Sequence, residues 1–397
     1  MKLKFLSVSL VLLILLAHFS TIAQSEQVDY TCTANPLIVQ ALSRTSQADY
    51  TAWIERLSGE VPVWVSNRQV SLDTRYTPAM FLTLANNARA FEFVEQQARS
   101  LMLHSQVAQH LFTMYAPAVF TAKNLVVDLP GATNPNEVVV LSAHLDSIST
   151  SSYSEAPGAD DNATGSAALL EAVRLLRNLR FNRTIRFIWF TGEEQGLKGS
   201  YAYVNDPAVD LSQIVGVINL DMFGYDGDGD RCFELHVGTL PASNTVGQCF
   251  ARVIAENALG LTHDFIEQGA IVASDHAPFW SKGVVAVEVL ENYQASDLPG
   301  GCASTDINPN YHRVTDTLAN MHPNYAFTIA KAAIAAAAGL AVLNQFDLGL
   351  LDFLIPVASA ACLGGLILFY RPLNLTGWFI LAFACLFVFA EFSRLFY

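Results

Sequence analysis

Residues 137–146 read Glu137-Val-Val-Val-Leu-Ser-Ala-His144-Leu-Asp146, an apolar run that ends in a histidine and an aspartate. Near-continuous apolar runs are typical of strands that are buried on both faces of a sheet. In α/β sheets, sites form beyond the carboxyl ends of the strands. The run therefore predicts a strand of a central sheet, with functional side chains where that strand ends.

The segments on either side of this run alternate between strand and helix patterns. Strand patterns cover residues 124–129, 184–190, 214–220 and 284–290. Helical patterns cover residues 38–58, 87–103, 163–179 and 324–344, and Pro323 opens the last of them. Buried strands that alternate with helices predict an α/β fold with a mixed, largely parallel central sheet flanked by helices.

Most of the apolar excess lies towards the two ends of the sequence. Two lysines, a short apolar run and small residues up to Ala23 have the pattern of a secretory signal peptide over residues 1–23. Residues 353–370 and 372–390 carry no charge, and each run is long enough to span a bilayer. We therefore predict a transmembrane hairpin of two helices within residues 348–397. The part between would lie outside the cytoplasm, on the periplasmic face in a Gram-negative bacterium and otherwise in a lumen or at the cell surface.

The net charge of the chain bears on its possible partners. The chain has 36 acidic and 22 basic residues, and its formal net charge of −14 argues against nucleic acid as a partner.

Four cysteines lie in the part predicted to be exported, where disulfides can form: Cys32, Cys232, Cys249 and Cys302. Four cysteines allow three pairings, and the sequence does not choose between them.

Residues of the types that bind metals follow the predicted strands. They are His144 and Asp146, Asp160 and Asp161, Glu193 and Glu194, Asp221, Asp275 and His276, and His312 with Asp316. Several carboxylates that converge without balancing lysines or arginines would repel one another. A pair of divalent cations is the natural partner of such a cluster.

The motifs around these residues resemble those of the M28 family of zinc metallopeptidases, in that family's order and approximate spacing. The motifs are His144-Leu-Asp146-Ser, Pro157-Gly-Ala-Asp-Asp161-Asn-Ala-Thr-Gly165, Gly192-Glu193-Glu194-Gln-Gly-Leu-Lys-Gly-Ser200, Asn219-Leu-Asp221-Met, Ser274-Asp-His276 and Tyr311-His312. The resemblance covers roughly residues 120–343. It implies a zinc aminopeptidase-like catalytic domain at 121–347, with an N-terminal helical and strand region at 24–120 packed on it.

The resemblance also implies two zinc ions per chain. His144 and Asp221 would bind one ion, and Glu194 and His312 would bind the other. Asp161 would bridge the two ions, and Asp160 is the competing choice for the bridge. Two zinc ions, three carboxylates and a hydroxide would together make a neutral centre.

Glu193 would be the general base, because it adjoins a ligand and can reach a water molecule without occupying a coordination position. Gly192 and Gly196 would supply the irregular backbone that this arrangement needs. The reaction implied by the resemblance is hydrolysis of the N-terminal residue of a peptide or protein, whose free amine docks near the zinc pair.

Four further residues are expected to support the site through hydrogen bonds. Asp146 would accept the ring N–H of His144, and Asp316 would do the same for His312, which fixes each imidazole tautomer. Two residues are expected to brace the site without binding metal: Asp275 and His276.

Alternatives stay open for the function and for one acidic segment. The glutaminyl cyclases resemble M28 peptidases but use one zinc ion for an acyl transfer. A binding or scaffold protein built on an inactive peptidase domain is a second alternative, although such proteins typically lose ligands that are present here. The segment Asp226-Gly-Asp228-Gly-Asp230 resembles the start of a calcium loop, but Arg231 and Val237 stand where that loop needs glycine and glutamate. We interpret the segment as a solvated turn.

Overall fold

The strands and helices are taken from a computed structural model, which describes residues 32, 35–77, 84–103, 106–115, 119–294, 301–302 and 305–342. The strands in chain order are β1 (Val63–Val65), β2 (Arg68–Val70), β3 (Val107–Tyr115), β4 (Val119–Leu129), β5 (Asn134–His144), β6 (Arg183–Phe190), β7 (Ile214–Leu220), β8 (Cys232–His236), β9 (Thr262–Ile266) and β10 (Ala286–Glu291). The helices are α1 (Pro36–Leu42), α2 (Gln47–Leu57), α3 (Leu84–Leu101), α4 (Ala163–Leu176), α5 (Lys198–Asn205), α6 (Pro241–Glu256), α7 (His276–Ser281) and α8 (Pro323–Leu340).

The central sheet of the described residues has eight strands in the order β3-β4-β6-β5-β7-β10-β8-β9. Its four middle strands, β6, β5, β7 and β10, run parallel to one another. On one side, β4 runs antiparallel to β6, and β3 runs antiparallel to β4. On the other side, β8 runs antiparallel to β10, and β9 runs parallel to β8. The prediction of an α/β fold with a mixed central sheet is confirmed. The carboxyl ends of the four parallel strands meet at one edge, where the predicted site residues lie.

Strand β5 is buried on both faces, as its apolar run predicts. Leu141 and Ala143 face a core formed with helices α1 to α4, α6 and α8. Val138 and Val140 face a second core, to which α5 and α7 contribute Tyr203 and Phe279 among others. Because successive side chains of a strand point to opposite faces, a strand covered on both sides must be apolar throughout.

The predicted helices over residues 87–103, 163–179 and 324–344 correspond to α3, α4 and α8, and α8 begins at Pro323 as expected. The prediction of one helix over residues 38–58 is wrong, because the structure has two, α1 and α2. The break falls before Ser46, whose hydroxyl oxygen accepts a 3.1 Å hydrogen bond from the Asp49 N–H. This bond caps α2 and gives a new helix start within one apolar stripe.

Two disulfides join distant parts of the chain. They pair Cys32 with Cys249 and Cys232 with Cys302, which answers the pairing that the sequence left open. Within the described ranges, no helix is both long enough and apolar enough to cross a bilayer. The predicted signal peptide and the predicted transmembrane hairpin lie outside the described residues.

Candidate metal centre

The predicted ligands converge at the carboxyl edge of the parallel strands. His144 is the last residue of β5, and Asp221 directly follows β7. Glu194 lies in the turn after β6, and Asp161 lies in the loop just before α4. Parallel strands end on the same side of a sheet, so residues from distant parts of the sequence meet there.

Asp161 lies between two histidines. Its Oδ1 is 3.2 Å from Nε2 of His144, and its Oδ2 is 3.2 Å from Nε2 of His312. The same nitrogen of His144 lies 3.0 Å from Oδ1 of Asp221, and that of His312 lies 3.0 Å from Oε2 of Glu194. The five side chains therefore form two groups that share one carboxylate, and we call them the metal centre.

The atoms of the metal centre fit a pair of zinc ions. A tetrahedral zinc ion with ligand bonds of about 2.1 Å keeps its ligand atoms about 3.4 Å apart, near the distances of 3.0 and 3.2 Å within each group. Histidine nitrogens and carboxylate oxygens are also the ligands that zinc takes in catalytic sites. Among the described residues, Oε1 of Glu194 is buried with no hydrogen-bond partner. Such an oxygen is available to a cation.

The carboxylates of the metal centre need positive charge to balance them. Burial, together with the neighbouring Asp161, raises the pKa of Glu194 to about 8. Burial acts to lower the pKa of His312, but the carboxylates of Asp161 and Glu194 outweigh it and raise that pKa to about 10. Burial also acts to lower the pKa of His144, but nearby carboxylates, chiefly that of Asp221, outweigh this effect and raise that pKa. In the absence of metal the cluster therefore retains protons, and divalent cations can replace them.

Glu193 lies beside the metal centre. Its Oε2 is 4.0 Å from Nε2 of His144, and its backbone N–H donates to Oδ1 of Asp146 at 3.3 Å. The chain turns here through Gly192, whose φ of +71° lies in the left-handed region that favours glycine. Burial raises the pKa of Glu193 well above its ordinary range. The turn thus brings two adjacent glutamates to the same site, which a regular strand would not allow.

The loop before α4 places Asp161 in the metal centre and Asp160 outside it. Oδ1 of Asp160 accepts a 2.6 Å hydrogen bond from the Gly224 N–H, and Oδ2 accepts a 2.8 Å bond from the side-chain amide of Asn308. Asn162 then caps α4 with its side chain. Since the carboxylate of Asp160 is satisfied by these donors, the geometry favours Asp161 over Asp160 as the shared carboxylate.

Asp316 contacts a different partner from the one expected. It accepts hydrogen bonds from the backbone N–H groups of Asp160 and Asp161, at 2.9 and 3.1 Å, and not from the ring of His312. The sequence carries no local signal that the loop before α4 lies next to Asp316. Asp316 therefore holds the backbone of the residue that would bridge two metal ions.

Asp146 also differs from its prediction. Nδ1 of His144 lies 3.0 Å from the backbone carbonyl oxygen of Asp146, whereas the carboxylate oxygen Oδ1 of Asp146 is 3.8 Å away. The prediction assumed that both residues lie on a strand, but β5 ends at His144. Beyond that point the chain turns, the carbonyl takes the ring N–H, and the carboxylate accepts the N–H of Glu193.

His312 reaches the metal centre from an unusual backbone conformation. Its φ of +56° lies in the left-handed region, which is uncommon for a residue with a side chain. The ring stacks on Tyr311 with a centroid distance of 3.8 Å, and the carbonyl oxygen accepts the Thr150 N–H at 3.0 Å. These contacts hold the ring towards Asp161 and Glu194.

Asp275 and His276 are fully buried and contact protein groups behind the metal centre. Asp275 accepts a hydrogen bond from the hydroxyl of Ser200. In His276, Nε2 lies 2.8 Å from the carbonyl oxygen of Ile271, and Nδ1 lies 2.6 Å from a carboxylate oxygen of Glu288. Both ring nitrogens of His276 thus lie close to protein oxygen atoms.

Residues 226–230, here called the acidic loop, form a second cluster of carboxylates. Asp226 accepts the N–H of Arg231 at 3.0 Å, Asp228 accepts that of Asp230 at 3.2 Å, and Asp230 accepts that of Cys232 at 2.7 Å. Asp228 and Asp230 are exposed to solvent. The loop thus has the local hydrogen bonds of a turn.

Two residues near the metal centre have no recognisable signal in the sequence. Asn308 holds the carboxylate of Asp160, and Arg75 lies under the loops that follow His144 and precede Asp161. Neither residue lies in a motif, and Arg75 lies about seventy residues before the first predicted ligand.

Comparison with known proteins bears on the family. A model described as "Peptidase family M28" matches residues 124–337, which is more than half of the chain. The chain is 30% identical over 223 residues to leucine aminopeptidase 2 of Trichophyton rubrum, covering 52% of this chain and 42% of that protein. It is 34% identical over 208 residues to an aminopeptidase of Pseudomonas aeruginosa (strain UCBPP-PA14), covering 48% of this chain and 36% of that protein. The chain thus spans less than half the length of these curated relatives.

Solved structures share the fold over a larger part of the chain. The LapA aminopeptidase of Legionella pneumophila superposes with a TM-score of 0.60 at 18% identity, covering 81% of this chain and 78% of that one. The glutaminyl cyclase of Porphyromonas gingivalis superposes with a TM-score of 0.53 at 16% identity, covering 74% of this chain and 97% of that one. At these identities the likeness concerns the fold alone, and it extends to part of the N-terminal region.

Proposed function

Because the chain belongs to peptidase family M28, we propose that it is an aminopeptidase that uses two zinc ions and Glu193 as its general base. The observation that carries the proposal is the shared carboxylate of Asp161, whose two oxygens each face one histidine nitrogen at 3.2 Å. The two curated relatives are named as aminopeptidases, which supports cleavage at the N-terminus of a peptide or protein.

The five side chains of the metal centre would hold the two ions. His144 and Asp221 would bind one, Glu194 and His312 would bind the other, and Asp161 would bind both. When bound, zinc supplies Lewis-acid chemistry, since it polarises a carbonyl group and lowers the pKa of water towards neutrality.

Glu193 would move the proton. It takes a proton from the attacking water and then gives that proton to the amine that leaves, which is the ordinary exchange of roles in general acid–base catalysis. Burial raises the pKa of its carboxyl group and so favours the protonated form that the first transfer produces. The hydrogen bond from its N–H to Asp146 holds the backbone while the side chain acts.

The test uses the full-length chain, purified in detergent. We expect two zinc ions per chain and release of p-nitroaniline from amino-acid p-nitroanilides, with activity lost to a chelator and restored by zinc. One zinc ion with cyclisation of N-terminal glutamine would replace the proposal with the cyclase function. Absence of both zinc and turnover would favour an inactive binding protein.

We also propose that the chain is anchored in a membrane by two helices within residues 348–397, with its active domain outside the cytoplasm. Apolar runs at 353–370 and 372–390 and the signal-peptide pattern at 1–23 support this location. The two disulfides support it as well, because such bonds persist mainly in oxidising compartments. Added protease should digest the domain in intact cells or spheroplasts, while a cytoplasmic marker stays protected. Protection of the domain would contradict the proposed orientation.

A further inference from the structure

An arginine from the N-terminal region lies beneath the metal centre. Arg75 has none of its surface exposed, and it precedes the residues that match the family, 124–337. A buried guanidinium is costly unless its donors and its charge are both satisfied. What satisfies Arg75 therefore indicates what it does.

The donors of Arg75 are satisfied by backbone carbonyl groups of the metal-centre loops. Nε donates to the carbonyl oxygen of Leu145, which is the residue after His144, at 2.7 Å. The two terminal nitrogens donate to the carbonyl oxygens of Pro157 and Gly158, the latter at 2.8 Å. One of these nitrogens also donates to the carbonyl oxygen of Leu57, at the end of α2. A single planar group thus ties the loop after β5 to the loop that carries Asp161.

The backbone next to Arg75 follows the same two loops. Its N–H donates at 3.1 Å to the hydroxyl oxygen of Ser147, and that hydroxyl donates at 2.7 Å to the carbonyl oxygen of Ala156. Thr74 forms a parallel bridge with Ala156. Space around the guanidinium is so limited that a Cβ added to Gly158 would lie 2.8 Å from one of its nitrogens. The arginine side chain therefore packs closely against these loops.

The charge of Arg75 is balanced at a distance by carboxylates of the site. Burial lowers its pKa to about 10, and the neighbouring carboxylates of Asp316, Asp161, Asp146 and Glu194 oppose that effect. The group therefore stays charged near neutral pH. It contributes positive charge beneath a centre rich in carboxylates, while its hydrogen bonds are made to the backbone.

We propose that Arg75 is a positioning residue that fixes the loops on either side of His144 and Asp161 and thereby sets the affinity of the chain for zinc. This inference rests on the proposed function, because it concerns the same metal centre. It gives the N-terminal region a part in metal binding. Lysine cannot replace the arginine, because a single ammonium group cannot reach four carbonyl oxygens arranged around a planar fork.

The test compares three variants of the full-length chain. Arg75→Met removes the donors and the charge, and Arg75→Lys keeps the charge alone. Arg183→Met is the matched control, because Arg183 is also buried and donates to a backbone carbonyl, that of Leu340 at 2.6 Å. Arg183 begins β6, at the opposite edge of the sheet from the metal centre.

Zinc affinity is measured on folded protein by competition with a chromophoric chelator, and folding is checked by near-ultraviolet circular dichroism. Loss of a residue that orients metal ligands typically lowers affinity about 10- to 100-fold, and we expect a loss in this range for Arg75→Met and a smaller one for Arg75→Lys. Arg183→Met should melt at a lower temperature but bind zinc with wild-type affinity. If Arg75→Met does not fold, the same comparison is made with Arg75→Lys.

Wild-type affinity in every Arg75 variant that folds would overturn the inference and leave Arg75 with a packing role. The proposed function would stand in that case, because wild type would still bind two zinc ions. Absence of zinc from the wild-type chain would overturn the proposed function itself. The two failures are therefore distinguishable in one experiment.

Discussion

The metal centre and the acidic loop each gather three carboxylates, yet their surroundings differ. The carboxylates of the metal centre are buried or nearly so and lie against two imidazole rings, and one glutamate oxygen has no described hydrogen-bond partner. In the acidic loop, each carboxylate accepts a backbone N–H within five residues of itself, and two of the three are exposed. Burial and the adjacent imidazole rings therefore distinguish the two clusters better than the number of carboxylates.

The same contrast extends to the carboxylates that support each cluster. Asp316 accepts two successive backbone N–H groups, those of Asp160 and Asp161, below the metal centre. Asp306 accepts two successive N–H groups, those of Gly227 and Asp228, in the acidic loop. Only the first of these contacts holds a residue that would bind metal. The pair provides matched variants with similar local chemistry and different expected consequences.

The largest difference should appear when one acid in each region loses its charge. Glu193→Gln should lower kcat about 10²- to 10⁴-fold, because the amide cannot accept the proton of the attacking water. Zinc content should stay at the wild-type value, since Glu193 is proposed as the base and not as a ligand. Asp228→Asn, in the acidic loop, should keep kcat within about twofold. Steady-state kinetics and metal analysis check all three, and loss of zinc from the Glu193 variant would contradict the role given to it.

Removing divalent ions should affect stability only through the metal centre. At a free concentration about 1,000 times Kd, a bound ion stabilises the folded state by about 4 kcal/mol, which corresponds to a Tm change of roughly 10 °C in a domain of this size. A chelator should lower Tm by about that amount, and zinc should restore it. Calcium should leave the Tm of the chelated protein unchanged. A rise in Tm with calcium would show that the acidic loop binds an ion after all.

The supporting carboxylates should separate the two regions by a smaller factor. Asp316→Asn should lower zinc affinity about 10- to 100-fold, because the loop that carries Asp161 loses a charged acceptor for two N–H groups. Asp306→Asn should leave zinc affinity unchanged, although it makes the same kind of change. Chelator competition measures both. Equal losses in the two variants would mean that the effect is a general loss of stability.

The pH dependence of the metal-free protein should be the smallest of these effects. The pKa of Glu194 is raised to about 8 and that of His312 to about 10. At a pH between the ordinary and the raised pKa of each group, the folded chain therefore holds more protons than the unfolded chain. The stability that these protons contribute is lost as pH rises from the ordinary pKa of each group through its raised pKa. Tm of the chelated protein should therefore fall between pH 6 and pH 9. Zinc-loaded protein should show a weaker slope, and a Tm that rises with pH after chelation would contradict the assignment.

The sequence predicts much of the fold and of the metal centre because both depend on strong local patterns. The apolar run of β5 and the strands 184–190 and 214–220 can be read directly, and parallel strands bring their ends together. Strand β8 is harder to predict, because Glu234 and His236 are buried within it and paired to each other at 2.7 Å, which hides its apolar character.

Contacts that depend on how the chain turns could not be predicted. The hydrogen bonds of Asp146 and Asp316 follow from the end of β5 and from the path of a distant loop, neither of which has a local signal. Arg75 is a more extreme case, because its partners are backbone carbonyl groups, and any residue has one. Motifs identify the residues of a site, whereas the residues that hold it in place become visible only in the structure.

The zinc content of the wild-type chain and of Asp161→Asn tests the central claim most directly, because Asp161 is the one carboxylate assigned to both ions. Metal analysis of the full-length protein, after dialysis against metal-free buffer, should give two zinc ions per chain in the wild type and fewer than one in Asp161→Asn. Asp230→Asn, in the acidic loop, should retain two. A single ion in the wild type, or two ions in Asp161→Asn, would contradict a paired centre built on that carboxylate.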